Sequence, residues 1–250
     1  MISIIEQTLS FDGLVWLIIT VIFAGLVRGF VGFGTALIFM PIAASVTSPI
    51  WAIIIMMSFD IFGPLALLPR AWRDGEPAEV SLLVVGAIVG LPIGVYFLTQ
   101  IDPTLFRWLV SILTLLMLIL LARGWRYKNP LNNFMLMFIG SVGGFMAGIA
   151  ALSGPPVILT YMSSLRPPSV IRGNTMLYLF FVDILLFAVF LLKGLLSLLP
   201  FVIGLFLAIP YTLGGLLGQR LFNPKKELLY RRIAYGLIAI SALMGLPVWS

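Results

Sequence analysis

Two aspartates, Asp60 and Asp183, each lie near the middle of a long apolar run, 123 positions apart in a chain of 250 residues. An ionisable group in hydrocarbon is costly, so it is rarely found there without a partner or a role. Neither run contains a Lys or Arg near the depth of its aspartate. A buried carboxyl without a cation partner is easier to protonate, so we expect Asp60 and Asp183 to exchange protons near neutral pH. The alternatives are an interhelical hydrogen-bond donor and, less favoured, a Na⁺ ligand.

The two aspartates belong to a wider internal duplication. Three glycine pairs recur at 119 or 120 positions: Gly25 with Gly144, Gly29 with Gly148, and Gly34 with Gly154. We therefore expect two transmembrane repeats, residues 1–128 and 129–250, each with one buried carboxylate. A duplicated membrane protein of this kind is typical of secondary transporters.

Composition excludes most other classes. The chain is 61% hydrophobic and 10% charged, whereas a soluble domain has about 25% charged residues. We expect an all-α polytopic membrane protein with membrane lipid around nearly its whole length. Because there is no Cys and no His, we expect no metal site and no cofactor. The net charge of +6 is explained by cytoplasmic loops rather than by nucleic acid, which we do not expect as a partner.

Apolar runs bounded by charges and helix breakers predict the membrane segments 9–46, 49–69, 77–100, 104–122, 131–165, 172–192, 195–219 and 232–248. Six of them are close to the length of one helical crossing, about 20 residues. The first and the fifth are longer and glycine-rich in the middle. Each is either one broken helix, which gives eight crossings in all, or a hairpin of two short helices, which gives ten.

The basic residues favour the hairpins. With ten crossings, all but two of the 15 Lys and Arg fall on one side, leaving Arg107 and Lys193 on the other. By the positive-inside rule the crowded side is cytoplasmic, so we expect both termini outside, in a bacterial inner membrane. Five crossings per repeat also predict two inverted-topology repeats. Segments 30–46 and 149–165 are short for full crossings, and re-entrant half-helices there would change the count.

Each hairpin contains a predicted break followed by a new helix start. Proline cannot continue a helix but is favoured in its first turn, which places one start at Ser153-Gly154-Pro155. The equivalent break is Gly32 to Thr35. A helix start inside the membrane presents free N–H groups and a positive dipole end to an anion. We predict that these residues bind the substrate at one central site: Gly32, Gly34, Thr35, Ser153, Gly154 and Pro155.

The alternative for these glycines is close helix packing, which explains Gly25, Gly29, Gly144 and Gly148 well. We expect Val at Gly34 or Gly154 to weaken anion binding far more than Val at a glycine outside the hairpins, for which Gly86 serves as the control.

Two further polar residues are predicted to contact the substrate. Arg28 lies at the first hairpin tip and is placed to meet an anion entering from the cytoplasm, although an arginine there is often simply an interfacial residue. Asn174 shares a segment with Asp183 and is predicted to line the path.

The stretch Gly29-Phe-Val-Gly-Phe-Gly34 leading to Pro41 resembles the first-half signature of the sulfite exporter TauE/SafE family, also called the toluenesulfonate uptake permeases. The stretch Gly144-Phe-Met-Ala-Gly-Ile-Ala-Ala-Leu-Ser-Gly-Pro-Pro156 resembles the second-half signature. Length, duplication and placement agree, so the resemblance covers the whole chain. Family members often carry consecutive glycines where this chain has Gly-Phe-Gly-Thr and Ser-Gly-Pro-Pro. The resemblance implies transport of sulfur-containing anions, including sulfite and sulfonates.

Together these features predict a proton-coupled secondary carrier of a small organic or inorganic anion, working by alternating access, and not an enzyme. The alternatives are an anion channel and an intramembrane aspartyl enzyme, which would need both carboxylates at one site. Substrate-dependent proton flux separates the carrier from the channel.

Overall fold

The structure is a computed structural model that describes residues 3–65, 68–124, 131–161, 166–221 and 227–248. These residues form helices and no strand, so the predicted all-α class is confirmed. The helices are α1 (Ile4–Leu9), α2 (Leu14–Val31), α3 (Thr35–Val46), α4 (Pro49–Phe62), α5 (Leu68–Asp74), α6 (Pro77–Leu98), α7 (Pro103–Ala122), α8 (Asn133–Ala150), α9 (Gly154–Tyr161), α10 (Pro168–Leu192), α11 (Leu198–Leu221) and α12 (Glu227–Gly245).

Six helices of the described chain, namely α6, α7, α8, α10, α11 and α12, are long and apolar enough to cross a membrane. The chain is therefore a multi-pass membrane protein. One predicted segment, 49–69, is wrong as a single helix. Helix α4 ends at Phe62, and α5 begins only at Leu68. Pro64 explains the difference, because it lacks the N–H that the next helical turn needs.

The break in the first hairpin is confirmed. Helix α2 ends at Val31 and α3 begins at Thr35. Gly32 (φ 86°) and Gly34 (φ 103°) both adopt the left-handed conformation, which glycine reaches without the steric cost of a Cβ. The N–H of Gly32 donates to the Arg28 carbonyl at 2.8 Å, so it closes α2.

The break in the second hairpin is confirmed as well. Helix α8 ends at Ala150, and Ala151 adopts a left-handed conformation with φ 56°. Helix α9 then begins at Gly154, with Pro155 and Pro156 in its first turn, where a missing N–H costs no helical hydrogen bond.

The short helix of the first hairpin bears on the number of crossings. The 12 residues of α3 rise about 18 Å, which is well short of a hydrocarbon core of about 30 Å. This length favours the re-entrant alternative for segment 30–46. The crossing number and the side of the termini stay predictions. Residues 162–165 at the end of the second hairpin, and four of the basic residues counted above (Arg126, Lys128, Lys225 and Lys226), lie outside the described residues.

Packing divides the chain into two compact units. The first comprises Met1–Gly63, Ile101–Leu118 and Leu195–Ser250, and so contains α1 to α4, most of α7, α11 and α12. The second comprises Pro64–Gln100 and Ile119–Gly194, with α5, α6, α8, α9 and α10. Each unit combines helices from both predicted repeats. A repeat is a property of the sequence and a unit is a property of packing, so the repeats 1–128 and 129–250, and their inverted relation, stay predictions.

In the first unit, α2 packs against α11 through glycines. A Cβ on Gly25 would overlap the carbonyl oxygen of Tyr211, and a Cβ on Gly29 would overlap that of Gly215. Gly218 approaches Leu26 of α2 equally closely. The two backbones therefore touch, as the packing interpretation of Gly25 and Gly29 predicts.

In the second unit, α6 and α8 are interlocked in the same way. Cβ atoms on Gly86 and Gly90 of α6 would overlap the carbonyl oxygens of Met137 and Ser141. From the other side, a Cβ on Gly144 would lie 2.6 Å from the Cα of Ala87. The packing interpretation of Gly144 is confirmed. Gly86 is not the neutral control that its position outside the hairpins indicates, since a Val there would drive α6 and α8 apart.

Candidate functional site

Four polar side chains meet in the first unit, each from a different helix. Arg28 lies in the last turn of α2, and Thr35 is the first residue of α3. Asp60 lies near the end of α4, and Tyr211 lies within α11. The break between α2 and α3 folds Thr35 back towards Arg28, so the hairpin itself assembles half of this cluster. We call these four residues the Arg28 cluster.

The hydrogen bonds of the Arg28 cluster form a closed ring. Arg28 Nη1 donates to both oxygens of Asp60, at 2.7 and 2.9 Å. The Tyr211 hydroxyl donates to Asp60 Oδ1 at 2.7 Å. A hydroxyl has one hydrogen to give, so the Tyr211 oxygen accepts from the Thr35 hydroxyl at 3.0 Å. The ring closes through the longest contact, 3.4 Å from Arg28 Nη1 to Thr35 Oγ1.

The cluster is almost completely withdrawn from solvent. The Asp60 side chain is 4% exposed and that of Arg28 is 12% exposed, while Thr35 and Tyr211 are buried. Taking two charges out of water is costly. Their mutual attraction offsets this cost only when the remaining hydrogen-bonding groups of the pair are also satisfied. The two hydroxyls provide that satisfaction.

Packing fixes the position of the Tyr211 hydroxyl. The Tyr211 ring lies against Phe59, with 4.9 Å between ring centroids. On another side it lies against Gly63, where a Cβ would be 2.6 Å from the ring carbon Cδ1. The glycine leaves the space that the ring fills, so the hydroxyl is held towards Asp60.

The expectation that Asp60 has no cation partner is wrong, because Arg28 is that partner. The Arg28 side chain is 12% exposed and forms this ion pair, and its predicted contact with the substrate stays a prediction. The partner comes from another helix, 32 positions earlier, and so it does not show in the segment that contains Asp60. Sequence reasoning missed Tyr211 altogether, although a tyrosine in the middle of the apolar run 195–219 was an available signal. Proton exchange by Asp60 stays a prediction.

The predicted residues of the second unit occupy the break before α9 and the core of α10. Ser153, Gly154 and Pro155 are buried. A Cβ on Gly154 would make only ordinary contacts, at 3.5 Å, with Ile158 and Leu179. Packing therefore does not require a glycine at this helix start. Anion binding at the two breaks, and their convergence on one site, stay predictions.

Asp183 is buried within α10, with 7% of its surface exposed. Tyr178 lies on the same helix, and its hydroxyl donates to the carbonyl of Gly140 on α8 at 3.3 Å. The role of Asp183 in proton coupling stays a prediction. Among the described residues, no group of three or more acidic side chains is placed to hold a metal ion.

Asn174 belongs to a second polar network, at the start of α6 and α10. Its Oδ1 accepts from the backbone N–H of Glu76 at 2.6 Å. Its Nδ2 donates to Tyr161 Oη at 3.1 Å and to Glu79 Oε2 at 3.2 Å. Arg166 adds ion pairs to both Glu76 and Glu79. Asn174 thus donates both amide hydrogens to groups within the protein. Its contact with the substrate stays a prediction.

Replacing Asn174 with Leu is expected to destabilise the protein by about 1–3 kcal/mol, because the Glu76 N–H and the Tyr161 hydroxyl lose a buried partner. Thr175→Val is the matched control. The Thr175 hydroxyl is buried and has no hydrogen-bond partner among the described residues, so an isosteric methyl should be neutral or stabilising. Thermal unfolding of the purified proteins measures both changes. Equal melting temperatures for the two variants would contradict a structural role for Asn174.

The family model described as "Sulfite exporter TauE/SafE" matches residues 17–245, which include both helix breaks and the whole Arg28 cluster. No curated protein and no solved structure matches the chain.

Proposed function

Since this chain belongs to the sulfite exporter TauE/SafE family, we propose that it is a secondary carrier of sulfite-type or sulfonate-type anions in a bacterial inner membrane. Membership makes it a membrane transporter of the anion-exporter type. The proposal adds the substrate class, alternating access, and coupling to protons, for which Asp60 and Asp183 are the candidate groups.

The observation that carries the substrate class is the largely enclosed guanidinium of Arg28, 12% exposed, beside a helix break. Arginine binds planar and tetrahedral oxyanions well, because its donors lie in a rigid fork. The first N–H groups of α3 have no partner within their own helix, and they begin at Thr35, next to Arg28. Gly32 and Gly34 let the backbone bend at this point. The positive charge of Arg28 and the positive dipole end of α3 therefore lie next to each other inside an apolar protein.

The aspartyl-enzyme alternative gains no support from the Arg28 cluster. Such an enzyme needs two carboxylates that share one site and one proton. Both oxygens of Asp60 instead accept from Arg28, and one of them also accepts from Tyr211.

Counterflow in proteoliposomes tests the proposed function. We expect radiolabelled sulfite to enter vesicles faster when unlabelled sulfite or a sulfonate is inside, because a carrier reorients faster when loaded. A channel gives flux that follows the electrical potential and shows no such acceleration. The zwitterion taurine is the specificity control. Absence of saturable, accelerated flux for sulfite, sulfonates and simple carboxylates would contradict the carrier.

A further inference from the structure

The carboxylate of Asp60 occupies a position built for an oxyanion. Both of its oxygens accept hydrogen bonds from Arg28 Nη1, at 2.7 and 2.9 Å. One of them also accepts a hydrogen bond from the Tyr211 hydroxyl at 2.7 Å. Thr35 adds a hydroxyl 3.0 Å from the Tyr211 oxygen. A guanidinium with hydroxyls is the donor set that binds carboxylate-like and sulfonate-like groups. Asp60 and a substrate anion would therefore compete for the same donors.

The charges that face Asp60 determine how such an exchange can occur. Arg28 is the charged group that α2 contributes, and Tyr211 is the titratable group that α11 contributes at this depth. Helix α3 contains no titratable residue, and α4 contains no charged residue besides Asp60. The one other charge on these four helices is Arg220, in the last turn of α11. The Arg28 cluster is thus neutral while Asp60 is ionised.

Neither a proton nor an anion can enter this cluster cheaply alone. A proton on Asp60 would leave the buried charge of Arg28 without its carboxylate, and an added anion would leave an excess negative charge. Each imbalance costs several kcal/mol, because the charge is buried. A proton and a monovalent anion that enter together keep the cluster neutral. Each should therefore strengthen the binding of the other, to the same extent.

Building on the proposed carrier function, we infer that Asp60 is an internal occupant of the anion site, which the substrate displaces as Asp60 takes up a proton. The proton goes to a carboxylate oxygen, and the anion takes over the bonds from Arg28 and Tyr211. Because Arg28 Nη1 spans two oxygens, the substrate class is a monovalent anion with at least two acceptor oxygens. A sulfonate, hydrogen sulfite and a carboxylate qualify, whereas chloride does not. One proton then accompanies one anion, without net charge movement.

Calorimetric titration of the purified protein with methanesulfonate tests this inference. Sulfite itself gains a proton near neutral pH, whereas a sulfonate stays ionised, so any proton taken up belongs to the protein. Titrations in two buffers of different ionisation enthalpy should show uptake of one proton per anion. The affinity should fall about tenfold for each pH unit over the range in which unliganded Asp60 is ionised.

Asp60→Asn keeps the shape of the side chain but cannot take up a proton. This variant should bind methanesulfonate without proton uptake, with an affinity that does not change with pH. Asp74→Asn is the control. It removes an exposed carboxylate that pairs with Arg70 at 3.3 Å, and it should behave like the parent protein.

Three results would overturn the inference. The first is methanesulfonate binding by the parent without proton uptake, which requires no variant. The second is an Asp60→Asn protein that keeps the parent's pH dependence. The third is a parent that shows sulfite counterflow but binds no methanesulfonate. In each of them the carrier function stands if counterflow is observed. A parent that neither binds any of these anions nor shows counterflow contradicts the proposed function as well.

Discussion

Replacing Arg28 with Met should destabilise the protein by about 3–5 kcal/mol, because it leaves Asp60 buried without its cation. The single variant cannot by itself separate a structural role from a transport role. Combining Arg28→Met with Asp60→Leu removes both charges at once. Buried ion pairs can often be replaced by apolar side chains with little loss of stability, so the double variant should recover most of the parent's thermal stability.

Transport should not recover in the double variant, because the guanidinium that would bind the anion is gone. Thermal unfolding and sulfite counterflow on the same preparations give the two measurements. Arg70→Met provides the matched control, since it breaks an exposed pair with Asp74 and should cost less than about 1 kcal/mol. A double variant that transports sulfite at the parent rate would show that the Arg28–Asp60 pair only holds the fold.

The two helix breaks were predictable from the sequence because their causes are local. Gly32 and Gly34 permit a left-handed backbone, and Pro155 with Pro156 marks a helix start whatever surrounds it. The long spans were predictable for the same reason, since hydrophobic length is a property of each segment alone. Hydrophobicity alone extends the run 49–69 to residue 69, whereas the helix ends at Phe62, just before Gly63-Pro64.

The partners of the buried charges were not predictable in this way. Arg28 and Asp60 meet because α2 and α4 lie beside the same helix, α11, which also supplies Tyr211. Only the packing of three helices distant in sequence brings these groups within 3 Å of one another. Examination of each segment separately leaves Asp60 apparently unpaired. The prediction of a buried carboxylate at Asp60 is therefore correct, and the prediction that it lacks a cation partner is wrong.

A four-residue spacing of glycines indicates close helix packing in α6 as well as in the hairpins. Gly86, Gly90 and Gly94 recur every four residues, as Gly25 and Gly29 do. The same spacing has the same cause, a stripe that allows a neighbouring helix to approach closely. A glycine can be judged free to change only when its neighbours in space are known.

Gly90 makes one of the closest backbone approaches in the second unit, so adding a single methyl group there should have a large effect. A Cβ on Gly90 would overlap the carbonyl oxygen of Ser141, a backbone atom that cannot move without the rest of α8. Contacts at Gly86 and Gly94 hold α8 on either side, so local adjustment is blocked and the helices must separate. We expect Gly90→Ala to destabilise the fold strongly. Size-exclusion chromatography should show aggregation of the variant, and any folded fraction should have a lowered melting temperature.

Gly236 on α12 is the matched control, because a Cβ there would meet nothing within 4 Å. Alanine is favoured over glycine within a helix by about 1 kcal/mol, so Gly236→Ala should be neutral or slightly stabilising. The same propensity gain applies at Gly90, and overpacking must exceed it for the variant to be destabilised. The difference between the two variants therefore isolates the cost of separating α6 from α8. A Gly90→Ala protein that melts at the parent temperature would mean that the two backbones do not touch.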